Sequence, residues 1–190
     1  MTKLELLEQI DNAIKNKIDL NKLDHHGKAF IHYAAEFGSP FIIGGLLDER
    51  VDVNHANKNG STALMCAAQN GHIDIVKRLL EAGANVDLAN NNGHTALMFA
   101  AANGHLDIVK RLLEAGANVD QASNTAWTAL MYAAANGHLD VVNRLIEAGA
   151  DVNKRNDKGT TALMCAAQNG HIDIVKRLLE AGAKVNLSAN

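Results

Sequence analysis

Aromatic side chains are scarce. One Trp, two Tyr and four Phe make up 4% of the 190 residues, so a core must be packed from Ala, Leu, Ile, Val and Met. Hydrophobic residues still reach 47%, enough for a sizeable interior in one domain or two. Cysteine occurs only at Cys66 and Cys165, too few for a disulfide framework, which fits a reducing compartment. No excess of basic charge is present: 18 Lys+Arg against 21 Asp+Glu argue against the basic face that nucleic-acid binding requires. No apolar run approaches the roughly 18 residues of a membrane span. The start, "MTKLELLEQIDNAIKN", lacks the basic stretch followed by an apolar run that marks a cleaved signal. Thr2 and Glu5 instead have the spacing of a capping box.

What the chain has in abundance is itself. A period of 33 residues runs through it. "TAL" recurs at 62–64, 95–97, 128–130 and 161–163, and "NGH" at 70–72, 103–105, 136–138 and 169–171. "EAGA" recurs at 81–84, 114–117, 147–150 and 180–183. The segment "TALMCAAQNGHIDIVKRLLEAGA" is identical at 62–84 and 161–183. Duplication or deliberate repetition produces such a pattern; independent catalytic domains do not.

Each unit reads as two short helices and a connection. "TALMCAAQ" is an Ala-dense first helix, broken at Asn70-Gly71. In "HIDIVKRLLEAG", Val76, Leu79 and Leu80 share one face with Ile73 close by. Asp74 sits in the first turn, where the helix dipole favours it. Gly83 follows the last turn, where a left-handed residue ends a helix. "ANVDLANNNG" is a turn-rich connection.

These residues resemble the ankyrin-repeat pattern, G-x-T-P-L-H-x-A-A-x-x-G-H followed by a second helix ending L-L-x-x-G-A-D-V-N. This chain offers "GSTALMCAAQNGH" with "LLEAGANVD" and "GTTALMCAAQNGH" with "LLEAGAKVN". The resemblance implies an all-α repeat solenoid, a stack of helix-turn-helix units joined by β-hairpin-like loops. Its units run 24–56, 57–89, 90–122, 123–155 and 156–190, behind an N-terminal capping helix or half repeat at 1–23. One departure is consistent: Pro-Leu-His becomes Ala-Leu-Met at 63–65, 96–98, 129–131 and 162–164, and only His32 keeps the His. Apolar packing of Met is expected to replace the hydrogen bonds of that His. Unit 24–56 diverges most. Ser39 and Pro40 suit the cap and first position of its second helix, Gly44-Gly45 weakens that helix by about 2 kcal/mol, and Arg50 stands at the helix-ending glycine position. Unit 156–190 has the helix faces of an internal unit rather than the polar face of a terminal one, so it reads as weakly capped: either further chain follows in the whole protein, or that end packs on something, self-association included, or it frays.

Candidate chemistry reduces to structure. His72, His105, His138 and His171 recur with the repeat; equivalent residues of stacked units lie about 10 Å apart and cannot share one metal ion. His25, His26 and His55 form the only local His cluster, with no Cys or carboxylate completing a set of four. Cys66 and Cys165 lie three units apart, beyond disulfide reach. The carboxylates Asp74, Glu81, Asp107, Glu114, Asp140, Glu147, Asp173 and Glu180 read as solvated partners of Lys and Arg on exposed helix sides. The Met ladder of Met65, Met98, Met131 and Met164 reads as core, with an adaptable binding stripe as the alternative. No phosphate-binding glycine motif occurs. Neither a catalytic site nor a cofactor is expected.

Positions free to vary within a repeat point to binding. The resemblance places the binding face, concave in that family, on hairpin tips and first helices. The tips carry Lys58, Asn59 and Ser61; Asn91, Asn92 and His94; Asn124, Thr125 and Trp127; and Asp157, Lys158 and Thr160. The first helices add Phe37, Gln69, Asn70, Asn103 and Asn136. Trp127 is expected as an exposed anchor, since Trp is enriched in interface hot spots; packing on its own neighbouring hairpin is the alternative. Ala126 stands where other tips have Gly, so its turn is either left-handed, at about 1 kcal/mol, or differently shaped.

The expected function is non-catalytic binding of another protein in the cytoplasm, without nucleic acid or membrane. The targeting portion of a bacterial or viral effector acting in host cytosol, or an engineered consensus-like repeat protein, are the alternatives.

Overall fold

Thr opens four of the five first helices and Gly or Asn closes all five, and the physical cause is visible at both ends. The computed structural model describes residues 2–185. In it, the Oγ1 atoms of Thr62, Thr95, Thr128 and Thr161 accept the backbone N–H of Met65, Met98, Met131 and Met164 at 3.3–3.5 Å. Those N–H groups have no partner inside the helix, so the hydroxyl supplies one. The first helices are α2 (Phe30–Phe37), α4 (Ala63–Asn70), α6 (Ala96–Ala102), α8 (Ala129–Ala135) and α10 (Ala162–Gln168). The second helices are α3 (Pro40–Asp48), α5 (Ile73–Glu81), α7 (Leu106–Glu114), α9 (Leu139–Glu147) and α11 (Ile172–Glu180). α1 (Lys3–Lys15) precedes them, starts with the Thr2–Glu5 capping box and buries Leu6, Ile10 and Ala13.

First helices pack on first helices in one row, and second helices on second helices in another. The first row is close because its contact faces are methyl groups: Ala67, Ala68, Ala100, Ala101, Ala133 and Ala134 are all fully buried. The Met ladder faces the core at Met65, Met98 and Met131, while Met164 is half-buried. Second helices bury Ile75, Val76 and Leu79, and their equivalents Ile108, Val109 and Leu112. The inner face therefore turns toward Ile75, which the sequence pattern leaves out; Ile73 and Leu80 are half-buried on its flank. Truncating Leu79 or Leu112 to Ala would open a cavity in this core and cost about 2–5 kcal/mol.

The inter-helix histidines are stacking residues. Nε2–H of His72, His105, His138 and His171 donates to the carbonyls of Glu36, Gln69, Ala102 and Ala135, each 36 positions earlier, at 3.0–3.2 Å. His32 is engaged differently: Ala29 N–H donates to its Nδ1, and its Nε2–H is shared between the carbonyls of His55 and Ser61. His55 lies beside His32, with ring centroids 6.0 Å apart, while His25 and His26 lie against each other at 3.8 Å.

Unit 24–56 holds its second helix despite Gly44-Gly45, with Ser39 as cap and Pro40 at the first turn. Arg50 adopts a left-handed backbone, φ 58°, at the position other units give to Gly. At the other end, Ile172 is 65% exposed and Leu179 43% exposed, although the identical Ile73 and Leu80 are half-buried. The following unit makes that difference. Residues 186–190, assigned to the last unit by the period, lie outside the described residues.

Candidate partner-binding face

Each hairpin tip is built by one short side chain. Asn57 Oδ1 accepts the N–H groups of Asn59 and Ser61, Asn90 those of Asn92 and His94, and Asn156 those of Lys158 and Thr160. At the fourth tip Ser123 Oγ takes over, accepting from Thr125 at 3.4 Å and Trp127 at 3.2 Å. The turn geometry is unchanged there: Ala126 N–H donates to Ser123 O at 2.9 Å, as Gly93 does to Asn90 O at 2.8 Å. Ala126 accordingly has φ 58°, the left-handed alternative.

Tips are joined from unit to unit. The backbone N–H of Asn91 and of Asn124 each donate to the preceding tip at 3.0 Å, and their side-chain amides donate to Lys58 O and Asn91 O. The last step is looser. Asp157 N–H reaches Thr125 O at 3.3 Å, and Asp157 has no amide to add a second bond. Ala126 bears a Cβ in this gap; a Cβ at the matching Gly93 would lie 2.6 Å from Asn124 N.

The amides of the first helices are partly engaged at home. Asn70 Nδ2 donates to Cys66 O, Asn103 Nδ2 to Phe99 O, and Asn136 Nδ2 to Ala102 O, closing helix ends. All three residues remain exposed, as do Gln69, Asn59, Asn92, Asp157 and Lys158.

Aromatic residues meet across the middle of this face. The His94 ring lies edge-on between Phe99 and Tyr132, 5.7 Å from each, and its Nε2 is hydrogen-bonded to Tyr132 Oη at 2.9 Å. Trp127 lies against Tyr132, with centroids 5.0 Å apart. Burial lowers the pKa of His94 and raises that of Tyr132. Trp127 is half-buried, with one side on Tyr132 and the other bordering a hollow of about 590 Å³. Ala135 and Cys165 also line that hollow, with Thr125, Asn156, Thr160, Gln168, Asn169 and the charged Asp157 and Lys158. Tyr132, Phe99 and Cys165 are absent from the binding residues expected from the sequence. The signal for them is the varying letter in "TALMC", "TALMF" and "TALMY", the one position that changes inside an otherwise constant motif.

The N-terminal end is polar. Lys28 Nζ meets both carboxylate oxygens of Glu36 at 2.7 and 2.8 Å and lies 5.1 Å from the Tyr33 ring centroid. Tyr33 Oη donates to Asp24 Oδ2 at 2.7 Å; burial and this carboxylate push the phenol up to about 12. Burial, with Glu36 nearby, likewise pushes the Cys66 thiol up to about 12, which keeps it a protonated core group. Phe37 is half-buried against the core. Among the described residues, no three His, Cys, Asp or Glu side chains are grouped to hold a metal ion, and no helix is long and apolar enough to cross a membrane.

Stacked helix pairs of fixed period, tips linked by backbone hydrogen bonds and a face of varying side chains define a helical repeat solenoid. A family model described as ankyrin repeats (3 copies) matches residues 31–123 and again 119–189, and the chain belongs to the ankyrin-repeat family. Repeats of this family generally mediate protein–protein interaction and are typically non-catalytic scaffolds. No curated protein matches the chain.

Proposed function

We propose that this chain is a non-catalytic scaffold that holds a partner protein on the face formed by its hairpin tips and first helices. The observation that carries the reading is the contrast between frame and face. Buried positions repeat almost letter for letter, while the tips at 58–61, 91–94, 124–127 and 157–160 vary, and their last residue, Ser61, His94, Trp127 or Thr160, differs in every unit. Half-buried Trp127 supports an anchor there, because a partner can complete the desolvation of an indole already held by Tyr132. The contact residues are Trp127, Thr125, Asn124, Asn91, Asn92, His94, Lys58, Asn59, Ser61, Asp157, Lys158 and Thr160 on the tips, with Phe37, Gln69, Asn70, Asn103 and Asn136 from the first helices. Near-balanced charge supports a protein partner over nucleic acid, and two free buried cysteines support a reducing, cytosolic setting.

The test selects binders from a displayed random-peptide library and maps them by amide hydrogen exchange. Protection at tips and first helices supports the reading. Protection confined to the outer side of the second helices, at Asp74, Lys77 and their equivalents, overturns it.

A second reading concerns the C-terminal face. Ile172, Leu179 and Val185 are exposed there, and the same 23-residue segment at 62–84 is covered by the next unit. Self-association through this face predicts a concentration-dependent mass in sedimentation that Ile172→Lys abolishes; a constant monomer mass refutes it.

A further inference from the structure

The hollow beside Trp127 has a cause that also says what fills it. The residue at its floor, Cys165, stands in the register of Tyr132 and Phe99. Where this position is Tyr132, its ring occupies the space between two neighbouring tips: it touches Trp127 of its own unit and His94 of the unit before. One unit later the ring is replaced by a buried thiol, and the tip residue Trp127 becomes Thr160. Two bulky groups give way to two small ones, so the second side of the indole is left without the ring that its position in the stack calls for.

The only other cysteine in this register, Cys66, leaves a different neighbourhood. The tip before it is Lys28, tied to Glu36. An aromatic wall above a small floor therefore occurs among the described residues only at the junction of Trp127 and Cys165. Its rim carries Asn156, Thr160, Gln168 and Asn169, which can hydrogen-bond to a peptide backbone, together with the charged Asp157 and Lys158.

Building on the proposed scaffold function, we infer that this hollow takes an aromatic side chain of the partner, which stacks on Trp127 where the chain's own ring stands at Tyr132 one unit earlier. Offset or tilted stacking on the indole gives the preference for a ring over an aliphatic chain. Ala135 and Cys165 give the ring an apolar floor beneath the indole.

The test uses the full chain and titrates N-acetyl-phenylalaninamide, N-acetyl-leucinamide and N-acetyl-lysinamide in separate nuclear magnetic resonance experiments. The expected result is saturable movement of the Trp127 indole and the Gln168 and Asn169 amides with the aromatic probe, and weaker movement with the leucine and lysine probes. Cys165→Tyr places the missing ring in the hollow and should weaken the aromatic probe at least about tenfold. Cys165→Ala keeps the hollow open and should retain binding, which guards against misfolding of the tyrosine variant. Equal response to all three probes, no response to the aromatic one, or undiminished binding by folded Cys165→Tyr overturns the inference. A library-selected peptide that protects the tips and first helices but ignores Cys165→Tyr would overturn this inference alone and leave the scaffold function standing.

Discussion

The indole of Trp127 rests on the ring of Tyr132, with centroids 5.0 Å apart and planes tilted by 36°. They are only five positions apart, yet one sits on a hairpin tip and the other on α8. The tip and the helix are thereby tied through the one tryptophan of the chain. Removing the phenyl support should free the indole. Tyr132→Ala is expected to shift tryptophan emission to the red and to cost about 1 kcal/mol or more, since an aromatic pair contributes about 0.5–1.5 kcal/mol beyond its buried area. Fluorescence-detected urea unfolding reads both quantities at once. An unchanged emission maximum would sink the assignment.

Ala126 holds a left-handed backbone, φ 58°, that costs an L-residue about 1–2 kcal/mol. Ala126→Gly removes this strain, while the greater freedom of Gly in the unfolded chain offsets about 0.4–1 kcal/mol of the gain. A net stabilisation of about 0.5–1 kcal/mol is expected from the shift in urea midpoint. A loss of stability would mean that the Ala126 methyl contributes packing that the geometry does not suggest.

Gly71 and Gly83 share positive φ, at 78° and 85°, but not surroundings. A Cβ on Gly71 would come within 2.8 Å of the His105 ring, whereas nothing lies within 4 Å of one on Gly83. Both alanine variants incur the backbone strain. Only Gly71→Ala also disturbs the hydrogen bond from His105 to Gln69 O, worth about 0.5–1.5 kcal/mol. Thermal unfolding should rank Gly71→Ala clearly below Gly83→Ala, and equal midpoints would remove the stacking role given to these histidines.

His32 is buried and neutral. Its Nδ1 already accepts from Ala29 N–H, so a second proton has no acceptor, and burial lowers its pKa below the ordinary 6.5. The unfolded chain then binds the proton more readily than the folded one. The stability contributed by neutral His32 is complete above pH 6.5 and is lost as the pH falls below it toward the lowered folded value. Met stands in the same register at Met65, Met98, Met131 and Met164, so His32→Met tests the point within the chain's own vocabulary. Urea midpoints measured between about pH 7.5 and about pH 5 should fall less steeply for His32→Met than for the parent chain. Parallel curves would assign the acid sensitivity elsewhere.

Much of the fold was legible because its causes are local. Thr at the cap, Gly past the helix end and a 33-residue period act over a few residues, and the period repeats them. Ile75 shows where that reading stops. On periodicity alone Ile73, Val76, Leu79 and Leu80 form the apolar stripe, yet the packed helix rotates Ile75 inward and leaves Ile73 and Leu80 at the flank. Which edge of an apolar stripe is buried depends on the neighbouring helix, not on the stripe.

The site divides the same way. The sequence by itself determined that tips and first helices vary, that Trp127 is singular and that Ala126 breaks the glycine series. Those are statements about register, and register is written in the chain. Only the tertiary structure decided that Tyr132 supports Trp127, that His94 bonds to a hydroxyl 38 positions away, and that Cys165 opens a hollow beside the indole. Each of these depends on the volume one unit presents to the next. A change from ring to thiol means nothing along the chain until stacking sets it against the bulk of the unit before.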